Sequence, residues 1–374
     1  MRILAVTTSF PRFAGDSCGR FVFDLHAGLK AEGHEVLTIC PAADDAPLRE
    51  EGEAGSVLRV PYAPAGRQDL FYGSGLEARW KVTRSAGWKL ALFLWRARRQ
   101  LACEARRADL LIGHWLWPGA RLALRASGGR PVLGIAHGGD VHLLASGLRG
   151  RLLCLGLRKG LRGVLATSRA GAELARRRLG VPPSRIRVRP MGVDLRRFRE
   201  PGPSPFEGLG DYLLAVGRLV PIKGYDLLVR AAAGLDLPLV IAGEGPEREA
   251  LLALARSVGC RLHLPGRLPP SAVAAAMGGA LAVVVPSRVL PSGRAEGCPV
   301  AAVEALAAGA RLLAARTGGL MDLLPPESLF EPGDLEDLLR RLRDVLSAPP
   351  APPPVRGLDR RDAARDLLRL LAAE

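Results

Sequence analysis

Asparagine does not occur in these 374 residues, and lysine occurs only at Lys30, Lys81, Lys89, Lys159 and Lys223. Arginine therefore carries nearly all of the positive side of a formal net charge of +16. Alanine, glycine, arginine and proline abound instead, the usage a GC-rich genome writes. Part of the charge is thus compositional, and no nucleic-acid partner is expected from it. Scarce amide side chains also suit a hot habitat. No apolar run approaches the roughly 20 residues of a membrane-spanning helix; Leu90 to Trp95 is among the longest. The opening MRILAVTTSFPRF has too short an apolar region for a secretory signal and reads as a first strand. The six cysteines, at 18, 40, 103, 154, 260 and 298, show no metal-ligand spacing, which fits reduced thiols in the cytoplasm. There is no GxGxxG, no GxxxxGK[ST] and no Asp-x-Asp, so a dinucleotide fingerprint, a P-loop and an acidic metal-binding pair are all missing. No essential metal and no bound cofactor are expected.

What is present is enough for two domains: a hydrophobic content of 48% over 374 residues supplies a core to each. Short β-like runs predict strands at 3–7, 36–40, 57–60, 110–113, 132–136, 164–167 and 186–188, with helices between them, such as 19–31 and 169–179. The alternation predicts a parallel, doubly wound sheet, with ligands at the carboxyl ends of its strands. A proline-rich stretch, Pro201 to Pro205, reads as a linker and puts the boundary between residues 200 and 201. The same alternation resumes from Tyr212. After the prolines at 349–354 an amphipathic helix over about 358–372 closes the chain.

The strand ends carry the informative residues. Gly15, Asp16, Ser17, Cys18 and Gly19 form a glycine-bounded loop after the first strand, open to a phosphate or simply a loop. His137, Gly138, Gly139 and Asp140 follow the fifth: His137 either reaches into a cleft or is structural, with Asp140 as a cap. His114 reads as a packed residue or as one lining the acceptor side. Residues 77–107 combine Trp80, Trp88 and Trp95 with Lys81, Arg84, Lys89, Arg96, Arg98 and Arg99. That pattern fits a basic helix lying on an anionic membrane, or a domain helix whose tryptophans face the sheet. In the second half, Arg218 and Lys223 form a cationic pair suited to a diphosphate. Gly243 and Arg267 stand at the next two strand–helix turns.

Ser292 to Gly309 is the richest stretch. Pro299 at the first helical position and Gly309 as the stop predict a helix from about 299 to 308. Glu296 then lies in the entry loop. Glu304 lies in the second turn of an otherwise apolar helix, buried with a job to do or exposed on the surface. Gly297, Cys298 and Val300 surround a helix start whose N–H groups and dipole favour an anion.

Pro286-Ser287, Glu296-Gly297-Cys298-Pro299 and Glu304-Ala305-Leu306-Ala307-Ala308-Gly309 together resemble the signature of family 4 retaining glycosyltransferases, the glycosyl transferases group 1, which have the GT-B fold. Gly217-Arg218-Leu219 with Lys223-Gly224, Gly243-Glu244-Gly245-Pro246 and Gly192-Val193-Asp194 match further family landmarks. The resemblance implies an α/β protein of two Rossmann-like domains: residues 1–200 on the acceptor side, with the terminal helix 357–374 packing back on them, and 201–356 binding the nucleotide sugar. It implies transfer of a sugar from a nucleoside diphosphate to an acceptor hydroxyl, often lipid-linked. In the family, Arg218 and Lys223 would meet the diphosphate, as would Gly15; His137, Glu296 and more loosely Asp140 the sugar; Glu304 the ribose; and the backbone at Arg267 the base. Met191 in place of a frequent asparagine, and the longer loop 288–295, depart from the pattern. Two rivals stand beside this reading: a sugar-nucleotide epimerase of the same fold, and a non-catalytic protein binding anionic surfaces.

Overall fold

The computed structural model describes residues 1–72, 85–199, 201–347 and 357–372. The chain divides into two compact units, Met1–Gly192 with Asp359–Glu374, and Val193–Leu358. The division falls before the expected 200/201, because Val193 and Phe198 already pack with Tyr212, Leu214 and Val283 in the second unit's core. The proline stretch is therefore not a linker between units. Its Ser204 Oγ is hydrogen-bonded to Tyr212 Oη at 2.8 Å, inside the second unit.

The first unit contains β1 (Arg2–Val6), β2 (Glu35–Pro41), β3 (Arg49–Gly52), β4 (Gly55–Val60), β5 (Leu110–His114), β6 (Val132–Ala136), β7 (Gly163–Ala166) and β8 (Ile186–Val188). They form one sheet in the order β3-β4-β2-β1-β5-β6-β7-β8. Only β3 runs antiparallel to its neighbour. Its sequence, REEG, has no apolar signal because it is an exposed edge, and it is the strand the sequence pattern misses. The central strands are apolar throughout, as strands covered on both faces must be. Leu4, Val6, Leu111 and Val164 face a core shared with helix Ala86–Ala105 and with the segment around Cys154 and Leu157. Ile3, Ala5, Ile112 and Leu133 face the other side, against Leu25 and Leu29 of helix Arg20–Ala31 and Leu367 and Leu370 of helix Arg360–Ala372. These last two helices meet so closely at Gly28 that a Cβ there would collide with the Arg360 carbonyl.

The second unit holds β9 (Leu213–Val216), β10 (Leu239–Ala242), β11 (Leu262–His263), β12 (Ala282–Val285), β13 (Leu312–Ala315) and β14 (Leu329–Phe330). Their order is β11-β10-β9-β12-β13-β14, all parallel. Each sheet reverses its winding once, at β1/β5 and at β9/β12. Such switch points open a crevice beyond the carboxyl ends of the strands.

Among residues 77–107, Trp80, Lys81 and Arg84 lie outside the described residues. In helix Ala86–Ala105 the buried positions are Ala86, Lys89, Leu90, Phe93, Ala97, Leu101 and Ala105, one stripe at helical spacing. Trp88 and Trp95 point away from it and are exposed, which for these two goes against the second of the two alternatives, tryptophans facing the sheet. Lys89 is buried against Asp69, with Nζ 2.6 Å from Oδ1. Among the described residues no helix is long and apolar enough to cross a membrane.

Candidate active site

In the second unit, Gly217 follows β9 and Gly243 follows β10. The two turns are pressed together: Gly217 N–H donates to Ala242 O at 3.0 Å, and a Cβ on Gly243, whose φ is +155°, would run into the Gly217 carbonyl. Only glycine fits there, and the contact fixes the backbone that carries Arg218, which is exposed. The short 3-10 turn Pro221–Lys223 then brings Lys223 back over the strand ends. Its Nζ lies 2.9 Å from Glu296 Oε1 and 3.1 Å from Oε2. Ser287, buried at the end of β12, donates its hydroxyl to Glu296 Oε2. Glu296 is thus held from two strands. An ammonium carries three N–H donors, so Lys223 keeps capacity for a phosphate oxygen beside the carboxylate.

Tyr225 lies beneath this pair, fully buried, and its Oη has no hydrogen-bond partner among the described residues. Burial raises its hydroxyl above the usual tyrosine range; nearby Glu296 adds to the rise and Arg218 opposes it. Arg218, Lys223, Tyr225, Ser287 and Glu296 therefore share one small volume at the β9/β12 switch point. Sequence reasoning left out Tyr225; its position directly after Lys223-Gly224 was the only available signal.

Helix Val300–Ala307 starts one residue later than expected. Pro299 has an extended ψ of 126° and serves as the N-cap, its carbonyl accepting from Ala302 N–H at 3.0 Å. The N–H groups of Cys298 and Val300 have no acceptor among the described residues, as an anion site at a helix start requires. Burial, then Glu296 and Asp322, push the Cys298 thiol up to about 12, so it acts as a neutral side chain there. Glu304 is part-buried, between the two alternatives set out for it. Arg267 reaches Glu244 at 3.5 Å, with both side chains partly in solvent.

In the first unit, Asp16 is buried and bound by Arg12 Nε at 2.7 Å and by Cys18 N–H at 3.1 Å. Burial works against its ionised form, but these donors outweigh burial and hold the carboxyl below its usual range. Gly15, with φ +91° and no atom within 4 Å of a Cβ, forms the open tip of the loop that Asp16 anchors. Asp140 plays a similar part after β6. Its Oδ2 accepts from Leu116 N–H at 2.6 Å, and its Oδ1 from Gly138 at 3.0 Å and His137 at 3.1 Å. Burial raises this carboxyl to about 6 against those three bonds. With its oxygens committed to backbone, Asp140 positions His137 rather than presenting itself to a ligand.

His137 ends a row of imidazoles. Its Nε2 lies 3.2 Å from His114 Nδ1; His114 Nε2 lies 2.9 Å from His26 Nε2; His26 Nδ1 lies 2.7 Å from Thr38 Oγ1. His114 is fully buried and packed, one of the two places open to it. Burial depresses the row, His26 to about 3, so the rings are neutral near pH 7. A neutral ring has one N–H. Thr38 Oγ1 has no acceptor other than His26 among the described residues, so the arrangement that satisfies every proton runs one way. Thr38 donates to His26, His26 to His114 and His114 to His137, which leaves His137 presenting Nδ1–H. Among the described residues no three His, Cys, Asp or Glu side chains come together to hold a metal ion.

Two parallel α/β units, each with its candidate residues beyond the carboxyl ends of its strands, define a protein of the GT-B class. A family model described as Glycosyltransferase Family 4 matches residues 18–197, and one described as Glycosyl transferases group 1 matches residues 199–356. The chain is 27% identical to the glycogen synthase of Mycobacterium tuberculosis, over 94% of this chain and 87% of that protein. Its fold resembles sucrose-phosphate synthase from Thermosynechococcus elongatus, with a TM-score of 0.71 at 21% identity, covering 100% of this chain and 94% of the other. It also resembles Anabaena HepE in complex with UDP-glucose, with a TM-score of 0.66 at 16% identity, covering 100% and 97%. The chain belongs to the family 4 glycosyltransferases and has their GT-B fold.

Proposed function

We propose that this glycosyltransferase is a retaining enzyme that moves a hexose from a nucleoside diphosphate sugar to an acceptor hydroxyl, on a lipid-linked or cell-envelope glycan. The observation that carries the reading is the cluster of Arg218, Lys223, Ser287 and Glu296 beside the open N–H groups of Cys298 and Val300. In this reading Arg218, Lys223 and those N–H groups receive the charge that grows on the departing diphosphate. Each preorganised donor of this kind contributes ~2.7–4 kcal/mol of barrier. Glu296 meets the sugar's hydroxyls, Glu304 the ribose, and His137 Nδ1–H a sugar oxygen. The departing phosphate takes the acceptor's proton on the same face, so no carboxylate nucleophile and no metal are invoked.

The UDP-glucose bound by Anabaena HepE supports a nucleotide-sugar donor, and six free cysteines support a reducing, cytoplasmic setting. The decisive test is the double substitution Arg218→Ala/Lys223→Ala, with calorimetry of UDP, GDP and ADP. Binding of the preferred nucleotide should fall at least tenfold; unchanged affinity overturns the phosphate assignment. Product analysis by NMR, showing an anomeric configuration equal to the donor's, tests retention. An epimerase would instead consume the donor with no acceptor present.

A further inference from the structure

The first unit carries a surface that the reaction does not use. Helix Gly147–Leu155 buries Gly150 and Cys154 but leaves Leu148 72%, Leu152 59% and Leu155 59% exposed. These three leucines are spaced i, i+4 and i+7 and line one side of the helix. On helix Ala86–Ala105, Trp88 and Trp95 are 48% and 53% exposed, also seven residues apart. Both helices sink their inner sides into the same core, through Phe93 and Leu101 on one and Cys154 on the other. They therefore cover the same face of the sheet, with Trp95 bordering Leu48 and Leu58 toward the β3–β4 edge. Between them lies helix Arg121–Ala126, close enough that a Cβ on Gly156 would meet Arg121 and one on Gly160 would meet Leu124.

The rim of this surface is basic. Arg98, Arg99, Arg125, Arg149, Arg151 and Arg158 are exposed and have no ion-pair partner among the described residues. The acids of the same layer are engaged: Glu104 by Gln100 and Glu173 by Arg176 and Arg177. Exposed leucines have no use for a nucleic-acid backbone, and two apolar ridges separated by a cationic strip do not form a groove for a peptide. Leucine and tryptophan side chains flanked by arginines match the acyl–headgroup boundary of an anionic membrane.

We propose that this side of the first unit docks on an anionic lipid bilayer, inserting Leu148, Leu152 and Leu155 and resting Trp88 and Trp95 at the headgroups. The proposal is independent of donor, acceptor and stereochemistry. The test uses the full chain and sedimentation with vesicles of phosphatidylcholine, with or without phosphatidylglycerol. Wild type should pellet with the phosphatidylglycerol vesicles, leave them as salt is raised, and shift its tryptophan emission to the blue when bound. Leu148→Gln/Leu152→Gln/Leu155→Gln alters only exposed positions. It should keep the melting temperature and lose at least tenfold in vesicle affinity, and Arg149→Gln/Arg151→Gln/Arg158→Gln should lose the preference for phosphatidylglycerol. Wild-type protein that stays in the supernatant overturns the proposal, as does a leucine variant that binds like wild type. A concentration-dependent dimer dispersed by the leucine substitutions, without vesicle binding, would give the surface to a second copy of the chain and also overturn it.

Discussion

Glu296 is gripped by Lys223 and Ser287 in a loop, whereas Glu304 stands on a regular helix, and this difference predicts different kinetics. An interaction that tightens only as the sugar ring flattens appears in turnover, whereas uniform binding of the ribose appears in the Michaelis constant. Glu296→Gln should chiefly depress turnover and also lower stability by about 1 kcal/mol, since it releases a part-buried lysine. Glu304→Gln should chiefly raise the donor's Michaelis constant. Steady-state kinetics and thermal melts on both variants check this; turnover untouched in Glu296→Gln would remove it from the sugar site. The imidazole row makes a second prediction. Nitrogen NMR of labelled histidine should find Nδ1–H on His114 and His137 and Nε2–H on His26. Thr38→Val, which deletes the terminal donor, should mix the tautomers of all three rings; a single unchanged set would show that Thr38 does not orient the row.

At the scale of elements, what was legible is what local pattern encodes. The apolar runs at β1, β5, β6, β9, β10 and β12 gave strands, and the motif residues mark where those strands end. The imidazole row had no local signal, because Thr38, His26, His114 and His137 meet only through the order β2-β1-β5-β6. Proline composition misplaced the boundary, since prolines also shape irregular segments that pack within a unit. The 3-10 turn at Pro221–Lys223 brings Lys223 onto Glu296, a pairing that their distance in sequence hides. Helix contacts also predict the sign of one substitution. Replacing glycine by alanine inside a helix normally stabilises by about 0.5–1 kcal/mol. At Gly28 the added methyl would strike the Arg360 carbonyl, and overpacking of this kind costs about 1–3 kcal/mol. Gly28→Ala should therefore lower stability in denaturant melts; a gain would mean that the terminal helix yields.

For the whole molecule, the buried histidines predict an acid-sensitive first unit. His26 titrates near pH 3 when folded and near 6.5 when unfolded, so the unfolded chain takes up a proton that the folded one refuses. The stability this group contributes is full above pH ~6.5 and is lost as pH falls toward 3, by about 1.4 kcal/mol per pH unit at most. Asp140, raised to about 6, works in the opposite sense: its contribution is full below pH ~4 and is lost as pH rises through 6. All five tryptophans, Trp80, Trp88, Trp95, Trp115 and Trp117, belong to the first unit. Their fluorescence should report a melting temperature that falls between pH 6.5 and 4, and falls less in His26→Leu. An identical slope in that variant would place the acid sensitivity elsewhere.

The first unit is interrupted in sequence: Asp359–Glu374 completes a fold begun at Met1, with all of Val193–Leu358 in between. On the ribosome, its sheet face bearing Ile3, Ile112 and Leu133 must wait for Leu367 and Leu370 until the other unit has been made. At about 5–20 residues per second that wait is roughly ten to thirty seconds. The later, uninterrupted unit is thus free to reach its native state first, and the nascent chain spends the interval with that sheet face covered by Leu25 and Leu29 but not yet by the terminal helix.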